Sequence, residues 1–135
     1  MCWWDWLLSK IQSDIRAFDN VKQGMMAGSN NAKLRATLEL GKEMHRKLRG
    51  DRNCDEKEVS LSSGRPDCIK FDEGDCKVIE FKPDSYSEGQ AESQAKNYIG
   101  DVRERFKHDD RAKRCKQDGG FPVFRPVGET YRRCQ

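Results

Sequence analysis

Residues 65–82 read Arg65-Pro66-Asp67-Cys68-Ile69-Lys70-Phe71-Asp72-Glu73-Gly74-Asp75-Cys76-Lys77-Val78-Ile79-Glu80-Phe81-Lys82. Two β-prone runs, 66–71 and 76–82, flank an Asp-Glu-Gly-Asp turn, so the stretch predicts a hairpin. With Glu73 and Gly74 at the tip, Asp67 falls directly across from Glu80 and both point to one face. Lys82 joins them through the period of two. The same register sends Cys68 and Cys76 to opposite faces, which argues against a disulfide between them. A slip of one residue would undo these placements. Val78, Ile79 and Phe81 interleave with the charges, so the second strand is expected to be central and covered on both faces. Charged groups there are costly unless they are paired or hold an ion.

Outward from the hairpin, Val59 and Leu61 alternate with polar neighbours as a short strand that follows a charged loop over 49–56. Upstream, Leu34, Leu38, Gly41, Met44 or His45, and Leu48 trace a helical stripe over 32–48, with Asn31 available as its cap and Gly50 as its end. Residues 24–31 read as a loop. Before it, Trp4, Leu7, Leu8, Ile11, Ile15 and Phe18 recur at helical spacing, giving an amphipathic helix near 3–20. Trp3, Trp4 and Trp6 supply more aromatic surface than one stripe needs, enough to meet a partner or a membrane surface. Downstream, Pro83 ends the strand, and 87–107 reads as a long helix with Ala91, Gln94 or Ala95, Tyr98, Val102 and Phe106 along one side. Gly119-Gly120 reopens the chain into a strand over 121–127, placed at an edge by Pro122 and Pro126.

The expected class is therefore α/β in the broad sense (α+β): a mixed central sheet flanked by helices, with an extra helix at the N-terminal end. The 135 residues suit one domain, divided into helix and loop (1–30), core (32–127) and tail (128–135). Charged residues make up 36% of the chain and hydrophobic ones 35%, which leaves enough apolar side chains for a core. The net charge of +3 is too small to argue for nucleic acid by itself, so the argument rests on where charges sit. The cysteines at 2, 54, 68, 76, 115 and 134 form no CxxC pair, excluding the usual zinc-ribbon and thioredoxin spacings. They are expected to be mostly reduced, buried or incidental. Residues 1–8 have too short an apolar run for a membrane span or a normal secretion signal, so neither a signal peptide nor stable membrane insertion is expected.

Two carboxylates converging from adjacent strands make a hard oxygen site, suited to Mg²⁺ or Mn²⁺. A neighbouring ammonium can offset charge that develops on a phosphate under attack. The same residues would also suit an ordinary cross-strand charge pair on a solvated face.

Arg65-Pro66-Asp67 followed by Glu80-Phe81-Lys82 resembles the PD-(D/E)XK signature of restriction-endonuclease-like nucleases, and the order of elements resembles that superfamily's αβββαβ core. Gln94-Ala95-Lys96-Asn97-Tyr98 is similar to the QxxxY motif of some branches, and Glu39-Leu40-Gly41, with His45 beyond, is similar to the acidic motif of the preceding helix. The resemblance implies that Asp67, Glu80 and the Phe81 carbonyl ligate Mg²⁺ or Mn²⁺ and that Lys82 positions the attacking water. Gln94 and Tyr98, one helical turn apart, would orient Lys82, phosphate or DNA. Glu39 would support the metal, whereas His45 is expected to be a surface or core histidine. Arg103, Arg105, Lys107, Arg111, Lys113, Arg114 and Lys116 could track a phosphate backbone or form a charged loop.

Within the superfamily, the combined pattern most resembles the nuclease toxin domains of bacterial polymorphic toxins. That resemblance implies a DNA-cleaving effector delivered by a secretion system or by contact, acting in the cytoplasm of a target bacterium and neutralised by a cognate immunity protein. A phage or DNA-repair nuclease is the enzymatic alternative, and a non-catalytic nucleic-acid or protein-binding module is the alternative of another class.

Overall fold

The computed structural model describes residues 30–132. The expected helix near 3–20 lies outside the described residues, as do its tryptophans, Cys2 and Cys134. In chain order the elements are α1 (Asn30–Asp51), β1 (Cys68–Lys70), β2 (Cys76–Pro83), α2 (Glu88–Phe106), a short 3-10 helix (Asp110–Arg114), β3 (Gln117–Asp118), β4 (Phe121–Pro122) and β5 (Phe124–Tyr131). The chain is mixed α+β, with a three-stranded sheet ordered β1-β2-β5 and a two-stranded sheet of β3 and β4. The described residues divide into two compact units, 30–48 with 131–132, and 49–130. No helix among the described residues is long and apolar enough to cross a membrane.

In the first unit, α1 already includes Asn31, which is therefore a first-turn residue and not the expected cap. Met44 is buried, and the His45 ring lies edge-on to Tyr131 with centroids 5.8 Å apart. The helix closes beyond the expected Gly50. Asn53 takes the left-handed conformation at φ 52°, its N–H donates to the Gly50 carbonyl at 3.1 Å, and the Cys54 N–H donates to the Arg49 carbonyl at 3.1 Å. This pair of bonds ties off the last carbonyls of the helix. Asparagine tolerates the left-handed region better than most residues, which lets it take the position expected of glycine.

The second unit is built around the hairpin. Cys68 pairs with Ile79, Ile69 with Val78 and Lys70 with Lys77, and one further step of this register sets Asp67 opposite Glu80. Gly74 turns the tip at φ 69°, and the Asp75 N–H closes the turn on the Asp72 carbonyl at 3.1 Å. β2 lies between β1 and β5, and Val78, Ile79, Glu80 and Phe81 are all buried. A central strand covered on both faces is thus observed as expected.

The strand expected at Val59 and Leu61 does not form. Glu58 enters the left-handed region at φ 51°, and Leu61 and Gly64 exchange backbone hydrogen bonds of 2.9 and 3.1 Å, folding the chain back on itself. Asp55 and Glu56 pair with Ile69 instead, at 3.0 to 3.2 Å, while the Asp55 side chain accepts from the Phe71 N–H at 2.7 Å. Val59 and Leu61 keep an apolar role, packing against the core.

Helix α2 starts at a capping box in which Ser87 Oγ accepts from the Gln90 N–H and Gln90 Oε1 accepts from the Ser87 N–H. It buries Ala91, Ala95, Tyr98, Val102 and Phe106, the side read from periodicity. These residues meet Ile69, Phe71, Val78 and Phe124, with Phe71 edge-on to both Phe106 at 5.4 Å and Phe124 at 5.8 Å. β5 is an edge strand among the described residues and accommodates Pro126 there. It continues through Tyr131, so residues 128–131 of the expected tail are strand.

The described cysteines are bonded, contrary to the expectation of reduced thiols. Cys54 is joined to Cys68 and Cys76 to Cys115, with Cα atoms 5.4 and 5.3 Å apart. The reason lies in the register: Cys68 and Cys76 face opposite sides, and each meets a partner brought up from a distant part of the chain. Cys76 and Cys115 belong to the core under α2.

Candidate active site

The alternation that sends Ile69, Phe71, Cys76 and Val78 towards α2 continues to Asp67 and Glu80, so both carboxylates extend the apolar row on the helix side of the sheet. Glu80 is 2% exposed and Asp67 9%. Their backbones and side chains are cross-linked. The Asp67 N–H donates to Glu80 Oε1 at 2.9 Å, and the Phe81 N–H donates to Asp67 Oδ2 at 2.9 Å. Each carboxylate is therefore held by the other residue's strand.

Burial pushes the Glu80 carboxyl up to about 8, and the negative charge of Asp67 adds to the effect. A hydrogen bond from the Asp67 N–H and the positive charge of Lys82 oppose the rise without cancelling it. At neutral pH the pair holds a proton, as two crowded acids must when no cation neutralises them.

A stability measurement follows. With EDTA present, the folded chain keeps a proton on Glu80 between pH 4.5 and about 8 that the unfolded chain has released. The stabilisation is complete below pH 4.5 and is lost as pH rises through about 8, at up to about 1.4 kcal/mol per pH unit for one proton. Glu80→Gln should flatten this dependence and exceed the parent in stability near pH 8. Urea melts across the interval check it, and parallel curves for parent and variant would refute it.

Lys82 follows Glu80 by two residues on the same side of β2, half-buried, with its Nζ 5.4 Å from the centre of the Tyr86 ring. Gln94 Nε2 donates to the Tyr98 hydroxyl at 3.3 Å. Since Phe106 meets Phe71, α2 runs back towards the hairpin turn. Eight residues from Phe106 to Tyr98 span about 12 Å of helix, and four residues from Phe71 to Asp67 span about 13 Å of strand. Tyr98 is therefore level with the carboxylate pair. A Cβ at Gly64, three residues before Asp67, would approach Tyr98 Cε1 to 3.0 Å. Glu39 belongs to the other unit, exposed and paired with Lys42 at 3.3 Å.

The basic stretch is largely engaged within the fold. Arg111 bridges Asp109 at 2.9 Å and Glu56 at 2.6 Å and stacks on Phe71 at 4.6 Å. Arg103 donates to the carbonyls of Pro122 and Asp118, while Lys107 pairs with Glu104 and Lys113 with Asp110. Arg105, Arg114 and Lys116 are exposed. Sequence reasoning missed Tyr86, which carries no motif and gains meaning only from its place over Lys82. It also missed the Cys54 tether beside Asp67, for which sequence spacing holds no signal.

Two hard carboxylates on paired strands, each accepting a backbone N–H of the other strand, match the donor chemistry of a divalent cation, which would replace the proton that burial and repulsion keep on Glu80. Among the described residues no group of three or more His, Cys, Asp or Glu side chains converges in this way; a further ligand would come from backbone, water or substrate. Comparison of the chain with protein-family models, curated proteins and solved structures gave no match.

Proposed function

We propose that this chain is a divalent-cation-dependent nuclease of the PD-(D/E)XK type, with DNA as substrate, serving as an antibacterial effector restrained by an immunity protein. The observation that carries the reading is the buried Asp67–Glu80 pair on adjacent strands, with Lys82 on the same side of the sheet. Binding phosphate alone calls for cations, and two acids at the centre would oppose it; the pair therefore favours catalysis over a passive binding module.

In this reading Asp67, Glu80 and the Phe81 carbonyl hold Mg²⁺ or Mn²⁺, which when bound polarises a phosphoryl oxygen and acidifies water. Lys82 supplies a positive charge where the attacked phosphate becomes more negative. Its half-buried position strengthens that effect relative to water. The Gln94–Tyr98 pair offers polar groups from α2 at the same level, positioned to orient substrate. Glu80 gives up its proton when the cation enters, so loading is expected to improve as pH rises towards about 8.

Plasmid cleavage by the purified chain tests the proposal. Mg²⁺ or Mn²⁺ should support cleavage, Ca²⁺ should support it poorly because it holds looser geometry and acidifies water less, and EDTA should stop it. Undiminished cleavage in EDTA would overturn the mechanism.

A further inference from the structure

Tyr86 is 46% exposed and, with Val123, is one of two large apolar side chains left open among the described residues. It stands between β2, which carries Glu80 and Lys82, and α2, which carries Gln94 and Tyr98. Its N–H is bonded to the Pro83 carbonyl at 3.0 Å, and the next residue, Ser87, is locked in the capping box. The ring is thus mounted on a short, fixed junction. Its one described polar neighbour is the Lys82 ammonium, 5.4 Å from the ring centre, where a phosphate under attack would lie. The ammonium lies over one face of the ring, so a base would stack on the opposite face.

We propose that Tyr86 is a nucleobase platform, stacking on an unpaired base of the nucleotide whose phosphate meets Lys82 and so favouring single-stranded or frayed DNA. The inference rests on the nuclease reading and narrows its substrate. Stacking needs a base whose face is free, which an intact duplex does not offer. The aromatic ring tolerates any base, so the platform selects for strand state without selecting sequence.

The test uses the full chain with Tyr86→Ala and Tyr86→Phe. In Ca²⁺, binding to a single-stranded oligonucleotide containing 2-aminopurine is followed by quenching of the base's fluorescence; in Mg²⁺, kcat and KM are measured on single-stranded and duplex DNA. Tyr86→Ala should weaken single-strand binding about tenfold, ~1.4 kcal/mol, abolish the quenching and raise KM by a similar factor with kcat unchanged. Tyr86→Phe should retain both properties, and duplex binding should be the same in all three proteins. Unchanged affinity and quenching in Tyr86→Ala would overturn the platform. A fall in kcat without a rise in KM would also overturn it, showing that the ring only holds Lys82. Parent protein that binds and quenches through Tyr86 but cleaves nothing would sink the nuclease reading and leave the platform standing. Cleavage by the parent with an indistinguishable Tyr86→Ala would do the reverse.

Discussion

Asp67→Ala protein is expected to remain folded and to cleave no DNA, while Lys82→Ala should lose about 10²–10³-fold in rate, the scale of one charge-stabilising donor. The two variants remove different things. Asp67→Ala takes away one of the two carboxylates of the proposed cation site and the acceptor that the Phe81 N–H has in Asp67, a loss that costs about 1–3 kcal/mol. Relief of repulsion with Glu80 offsets part of that cost. Asp67→Asn, which keeps an oxygen for the Phe81 N–H, separates loss of charge from loss of the hydrogen bond and should be equally inactive. Circular dichroism and plasmid cleavage read the two properties independently. In bacteria, the parent chain should damage DNA and stop growth unless an immunity protein is present, and the Asp67 variants should be harmless. A folded Asp67→Ala chain as toxic as the parent would move the source of harm away from this site.

The second large effect is structural. Gly128 lies where β5 meets the first turns of α2, and a Cβ at this position would collide with the Glu92 nitrogen and the Glu88 oxygen and stand 2.8 Å from the Ala91 carbonyl carbon. These are backbone atoms of a capped helix and have no rotamer by which to move aside. Gly128→Ala must displace the strand or the helix, at a cost of ~3 kcal/mol, which lowers Tm by roughly 6–24 °C, the span between smaller and larger domains than this one. Gly100 is the opposite case, exposed in the middle of α2 with no atom within 4 Å of an added Cβ. Gly100→Ala should stabilise by ~0.5–1 kcal/mol through helix propensity alone. Thermal melts of the two variants should shift in opposite directions. Equal shifts would show that the close approach at Gly128 does not govern the packing of β5.

The parts legible in the sequence are those set by local rules. Alternation and a glycine turn fixed the register that brings Asp67 to Glu80, because in a short hairpin the turn leaves few alternatives. The apolar spacing from Ala91 to Phe106 likewise depends on residues within a few turns of one another. Val59 and Leu61 misled because alternation reports burial of one side, which they do have, and says nothing about the left-handed turn at Glu58. The cysteine pairs were illegible for another reason: Cys115 meets Cys76 only after α2 has crossed the sheet. In the basic stretch, Arg111 has one partner distant in sequence, Glu56, which spacing could not reveal, whereas Glu104, Asp109 and Asp110 are local partners. The carboxylate geometry was readable in advance, but the elevation of Glu80 was not, since burial depends on the whole sheet and helix layer.

The two cystine bridges have a consequence for any process that handles the chain as a thread. They close loops between residues 14 and 39 positions apart, one around the turn before β1 and the other around β2 and α2. A force applied at the ends cannot straighten what lies inside those loops, and each withheld residue removes roughly 3.3–3.6 Å of contour. A machine that feeds polypeptide through an aperture one strand wide would stall on reaching either of these two described bridges. Passage requires the bridges to be absent at that moment, or an opening wide enough for three strands abreast.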